Sequence, residues 1–159
     1  MSAKRKLSHV DAKGRVRMVD VSAKVETERL ALAECHVHMK RAAILAIRRK
    51  AVKKGDPLQA ARLAGILAAK RTPDLIPLCH QIPLSHVDID LTPMPRGYVI
   101  RSRVATFART GVEMEALVAV CVAALTLYDM LKAIDPGITI GPAWLLEKRG
   151  GRSGHYRRA

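Results

Sequence analysis

From Ala31 to Met39 apolar and polar residues alternate, with Ala33, Cys35 and Val37 on one side and Glu34, His36 and His38 on the other. A period of two is that of a half-buried strand. The pattern then changes: Ile44, Leu45 and Ile47 recur at helical spacing, which predicts a helix over residues 40–53, stopped by Gly55. Asp56 and Pro57 supply a second helix start, an N-cap followed by proline at the first helical position, and the run behind them predicts a helix to Arg71. Its Ala64-Gly65 pair lets another backbone approach closely, at some cost in helix propensity. Pro73, Pro77 and Pro83 then predict an extended connection rather than a helix. SHVDIDL alternates again, with Val87, Ile89 and Leu91 inward and His86, Asp88 and Asp90 outward; across the turn PMPRG it makes a hairpin with GYVIRSRVATF.

Residues 112–134 are apolar almost all round, for about six helical turns. Such a helix is buried on most sides, and a domain this small rarely encloses one completely, so an oligomer is expected. ITIGPAWLLEK predicts a last strand. Residues 1–28 read as a partly ordered arm and 149–159 as a flexible basic tail. The order strand, helix, helix, strand, strand, helix, strand predicts an α+β domain: a ferredoxin-like β-α-β sandwich with an added helix, its antiparallel sheet packed on helices. One domain accounts for residues 1–159.

Composition narrows the function. No apolar run reaches the ~20 residues of a membrane span, and the basic start lacks the apolar stretch of a secretion signal, so a cytoplasmic protein with no membrane association is expected. Cys35, Cys79 and Cys121 are odd in number and widely spaced, which argues against a disulfide framework. The net charge is +14, and residues 1–54 hold 15 of the 28 Lys and Arg against 5 acids. That field attracts polyanions, nucleic acid or a phosphorylated small molecule. The five aromatics, Tyr98, Phe107, Tyr128, Trp144 and Tyr156, are scattered, which lowers the case for stacking single-stranded nucleic acid.

LIPLCHQIPLSH gathers Cys79, His80 and His86. Adjacent residues on an extended backbone point to opposite faces, so Cys79 and His80 do not easily share one ion, and His36 with His38 lacks a partner pair; no metal is expected. The same geometry is wrong for a Cys79-His80 dyad, and a cysteine is most often a small buried hydrophobe. His80, emerging from a proline-framed turn, can bond a phosphate or shuttle a proton. Glu113 and Glu115 open the long helix, where they either offset its dipole or serve a site. At its far end Asp129 and Lys132 share a face, either as a surface ion pair or as groups that tune each other's proton affinity. Lys54 precedes a helix start, where a solvated lysine and an anion site are both reasonable.

Together the segments MVDVS, KGDPLQAARLAGILAAKRTPDLIPLCHQIPLSHV, RTGVEMEALVAVCVAALTLYDMLKAID and LLEKRGGRSG resemble the cyclic pyranopterin monophosphate synthase family, from about Leu7 to Gly154. The resemblance implies a lyase of molybdenum cofactor biosynthesis. Its substrate would be a 3',8-cyclised dihydroguanosine triphosphate, received from an upstream radical S-adenosylmethionine enzyme, and its products the cyclic pyranopterin monophosphate and pyrophosphate. It also implies a ferredoxin-like homohexamer, a trimer of dimers with active sites shared at interfaces. Asp129, Lys132 and Lys54 fall on the family's catalytic groups. Leu78, Cys79, His80, Met114 and Glu115 fall on its substrate-binding segments, with Glu113 adjoining. No cofactor is required by the sequence, though magnesium can accompany the triphosphate or pyrophosphate.

Phe107-Ala108 replaces the family's usual Thr-Gly, Leu131 a frequent Cys, and Arg149 and Arg152 common Ser and Lys. None of these removes a proposed catalytic group. Glu113 and Asp129 are sixteen residues apart on one predicted helix, a separation of ~24 Å, so a compact site that uses both needs two chains. Arg17, Asp20 and Lys24 are candidates for contact with a site if the arm closes over one. The alternatives from other classes are a basic RNA-binding module without catalysis and a sensor of phosphorylated ligands without chemistry; under the enzyme reading no specific nucleic acid is expected as a partner.

Overall fold

The computed structural model describes residues 13–152 and 154–159; the first twelve residues of the expected arm lie outside the described residues. Strand β1 (Thr27–His38) starts four residues before the alternation predicts, because Thr27 to Leu30 pair with the end of β3 (Gly97–Ala108). Helix α1 (Arg41–Arg48) stops well short of residue 53. The Lys50 N–H bonds the Ile47 carbonyl at 3.0 Å and the Ala51 N–H the Ala46 carbonyl at 2.9 Å, with Lys50 at φ 53°. This is a Schellman closure with lysine where glycine is usual.

Helix α2 (Pro57–Lys70) starts as its cap predicts: the Asp56 carboxylate accepts from the Leu58 and Gln59 amides at 2.9 and 3.2 Å. A short helix α3 (Thr72–Leu75) then stands where an extended chain is expected. Pro73 sits in its first turn, where an amide would be unpaired anyway, so the proline starts the helix instead of forbidding it. Strand β2 (His86–Met94) turns tightly into β3.

Helix α4 (Glu113–Leu131) is long and apolar enough to span a membrane by length and composition, beyond what the run of apolar residues alone implies. In the fold it is a core helix. Ala116, Ala119, Val120, Ala123, Ala124, Leu127 and Leu131 are buried against the sheet and α2. Strand β4 (Thr139–Arg149) follows, and the tail folds back as β5 (Tyr156–Arg157), whose backbone pairs with Glu147 and Lys148. A flexible tail is therefore not the whole account of residues 149–159.

The sheet order is β2-β3-β1-β4-β5, with every neighbouring pair antiparallel. Strands β1 and β2 are split by β3, which is the ferredoxin-like arrangement. Helices α2 and α4 lie on one face, over Ala31, Ala33, Cys35, Val37, Ile89, Ile100 and Val104. The small residues set how closely they approach. A Cβ on Gly65 would lie 3.0 Å from the Ala119 carbonyl oxygen and 3.3 Å from the Ala123 methyl. Gly65→Val is expected to lower stability by about 1–3 kcal/mol through overpacking, measured by urea unfolding; an unchanged midpoint would mean the helices have room to separate.

Candidate active site

The turn after α3 is fixed at both ends. The Cys79 amide bonds the Ile76 carbonyl at 3.0 Å, the Thr106 hydroxyl donates to the Pro83 carbonyl at 2.5 Å, and the Ser85 amide bonds Ala105 at 3.0 Å. Cys79 and His80 therefore hang at a rigid neck between α3 and β2, facing the first turn of α4. There Leu78, Cys79, His80, Glu113, Met114 and Glu115 line one cavity of about 330 Å³. These are the six residues expected at a substrate-binding site, drawn together from two distant segments.

The arm forms the opposite wall. Val19, Val21 and Lys24 line the same cavity, and the Val19 carbonyl lies 2.8 Å from His80 Nε2. Asp20 instead closes its own turn by accepting from the Ser22 amide at 2.8 Å. Of the arm's candidate residues, Lys24 is the one that lines this cavity.

Glu115 is 3 % exposed, and burial raises its carboxyl to about 6, with the nearby Glu113 charge adding to the rise. Burial and the Glu115 carboxylate also raise the Cys79 thiol, which works against a thiolate nucleophile. Neither His36 nor His86 lines this cavity. His36 Nε2 lies 2.9 Å from Glu34 Oε1, and His86 is exposed at the start of β2.

Beyond Glu113 the first cavity adjoins a second, of about 770 Å³, which shares Lys24, Thr110, Gly111 and Glu113 with it. Its walls add Thr27, Arg29, Arg109, Lys148 and Arg152. Lys148 Nζ meets Glu113 Oε1 at 2.9 Å, and Arg109 meets Glu26 at 3.5 Å. Arg29 is 8 % exposed; its Nε donates to the Ala108 carbonyl at 3.1 Å, and among the described residues no carboxylate lies within ion-pair distance of it. The buried Thr27 hydroxyl, two residues away on the same strand face, has no hydrogen-bond partner among the described residues. A buried cation with no acid and an unsatisfied hydroxyl, both in one basic cavity, describe a receptor for an anion.

Sequence reasoning missed Thr27, Arg29, Arg109 and Lys148. The signal for the first two was available: the strand's alternation runs back to Thr27, but its charged residues hid it within the arm.

The third group stands apart. Asp129 accepts from Lys132 Nζ at 2.7 Å through Oδ1 and from Lys54 Nζ at 2.9 Å through Oδ2; Lys54 also reaches the Asp129 carbonyl at 2.9 Å. The three side chains are about half exposed. Hydrogen bonds from Lys132, then from Lys54, hold the Asp129 carboxyl down to about 2, and Asp129 in turn raises Lys132. Glu113 begins α4 and Asp129 lies near its end, so ~24 Å of helix keeps this triplet out of the paired cavities of its own chain.

The model of the MoaC family matches residues 18–151. A cyclic pyranopterin monophosphate synthase of Thermomicrobium roseum is 53% identical over 154 residues, covering 96% of this chain and 93% of that protein. Proteins of the same name from Trichodesmium erythraeum and Rhodospirillum rubrum are 56% and 55% identical, each covering 94% of this chain and 92% of its own length. Because the family match takes in all of α4, the Asp129 triplet and every wall residue of the two cavities except Arg152, the chain belongs to the MoaC family.

Proposed function

We propose that this chain is a cyclic pyranopterin monophosphate synthase. It converts the 3',8-cyclised dihydroguanosine triphosphate into the cyclic pyranopterin monophosphate and releases pyrophosphate, in the cytoplasm, as a step of molybdenum cofactor biosynthesis. The observation that carries this reading is the joined pair of cavities, one lined by His80, Cys79, Met114 and Glu115 and the other by cations that include the acid-free Arg29. A nucleotide has those two ends. Its triphosphate would lie along Lys24, Arg29, Arg109, Lys148 and Arg152, with the base beside His80, Met114 and Glu115 and the sugar near Glu113. Any magnesium would enter with the phosphates as part of the substrate. An RNA-binding module is not favoured, since concave pockets of this size suit a small molecule better than a strand.

Asp129, Lys132 and Lys54 would come from a second chain of a homohexamer, a trimer of dimers. Leu63, Leu67 and Leu125 are exposed on the outer sides of α2 and α4, apolar surface that such packing would cover. Opening the purine's five-membered ring and forming the pyrazine ring requires several proton transfers. With its carboxyl near 2, Asp129 is a poor proton acceptor while both lysines hold it. A phosphate drawing Lys54 away would weaken that hold and raise Asp129 toward useful basicity, leaving Lys132 as the matching acid.

The direct test supplies the cyclised nucleotide and measures pyrophosphate and pyranopterin. Mixing inactive Glu113→Gln and Asp129→Asn chains then tests the shared site. In a two-fold arrangement random exchange should restore about a quarter of the sites. No recovery, despite exchange shown by mass spectrometry, would exclude sharing.

A further inference from the structure

Beyond Arg152 the basic tail has no role in the reaction as described, yet its contacts lead back to the cationic cavity. Glu147 Oε1 accepts from Arg149 Nε on one side and lies 2.9 Å from His155 Nε2 on the other. One buried carboxylate oxygen therefore ties together the two ends of the loop between β4 and β5. Inside the loop the Gly154 amide bonds the Gly151 carbonyl at 3.1 Å. Outside it, the Arg158 amide bonds the Leu146 carbonyl at 2.8 Å, and the Arg158 guanidinium lies 5.5 Å over the Trp144 ring.

What the loop presents inward is Gly150, Gly151 and Arg152, three residues of the cationic cavity's wall. Both glycines have left-handed φ, 95° and 77°, and neither site tolerates a side chain. A Cβ on Gly150 would fall 2.1 Å from the Glu28 carbonyl oxygen, and one on Gly151 would fall 1.8 Å from Arg29 Nη1. The turn is thus pressed flat onto the buried guanidinium. Along β4 side chains alternate, so Lys148 points to the cavity side while Glu147 and Arg149 point to the other. The tie that shapes the loop does not touch what the cavity holds.

We propose that the β4–β5 hairpin is a clasp, with Glu147 and His155 as positioning residues that fix the glycine turn over Arg29 and so preorganise the phosphate receptor. The clasp rests on the phosphate reading of that cavity. A guanidinium already held in place loses little freedom when an anion arrives, so the clasp contributes to binding the phosphate end and not to the chemical step.

The experiment titrates inorganic tripolyphosphate into the full chain, a chain ending at Gly154, His155→Ala and Arg29→Ala, using calorimetry, and measures kcat and KM separately. Loss of the tail should weaken tripolyphosphate binding about tenfold and raise KM by a similar factor, with kcat within about twofold. His155→Ala, at an exposed position, should move in the same direction and guards against a folding defect. If Arg29→Ala weakens binding while the shortened chain and His155→Ala bind as the full chain does, the clasp is overturned and the phosphate cavity stands. If Arg29→Ala also has no effect, the phosphate reading itself fails. A fall in kcat at unchanged affinity would likewise overturn the clasp.

Discussion

Asp129→Asn lowers kcat by about 10²–10⁴-fold, the range expected when a positioned acid-base group is removed, and leaves the fold intact. The second half follows from exposure: Asp129, Lys54 and Lys132 are about half open to solvent, and ion pairs so exposed add little to stability. The first half follows from geometry. Both carboxylate oxygens of Asp129 hold a lysine, and asparagine keeps the shape while offering only one acceptor and no charge. Lys132 should then fall back toward its ordinary proton affinity, because Asp129 is what raises it. Single-turnover kinetics separates this from binding, and near-normal turnover with an unchanged melting temperature would remove Asp129 from the chemistry.

Glu115→Gln should make the protein more stable and less active. In the folded chain the Glu115 carboxyl is raised from 4.5 to about 6 by burial. Between those values the folded state keeps a proton that the unfolded state has released. Stability contributed by this group therefore falls as pH rises through the window, and the cost, about 2 kcal/mol, is complete above it. Glutamine does not ionise, so the gain should appear near pH 8 and vanish near pH 4, as read from urea midpoints at both. Activity should fall near pH 8, where the group is ionised, since it lines the cavity proposed for the nucleotide. A variant that gains stability at acid pH, or that keeps full activity, would contradict this account. Such a group is a cost to the fold carried for function.

Much of the architecture was legible because local signals and tertiary packing agree. Asp56 and Pro57 predict the start of α2, the alternations predict β1 and β2 with their correct inner faces, and the hairpin predicts β3. The misreadings share a cause, a residue type judged without its position. Pro73 was weighed as a breaker although the first helical turn suits it, and α1 was extended because Lys50, not glycine, closes it. The motifs carried Leu78 to His80 and Glu113 to Glu115, which the structure brings to one cavity. They did not carry Thr27 or Arg29. An arginine without an acid looks ordinary in a sequence with 28 cationic residues, and only burial distinguishes it.

Helix α4 holds Glu113 at one end and Asp129 near the other, over a packed apolar middle. In a shared-site assembly each chain then lends one end of this rod to each of two reaction centres, and no centre is built by a single polypeptide. A lesion in the middle of the rod, far from any substrate, would damage two centres for every faulty chain incorporated. Mixed populations would lose output faster than the faulty fraction rises, so a defective copy would be partly dominant over a sound one.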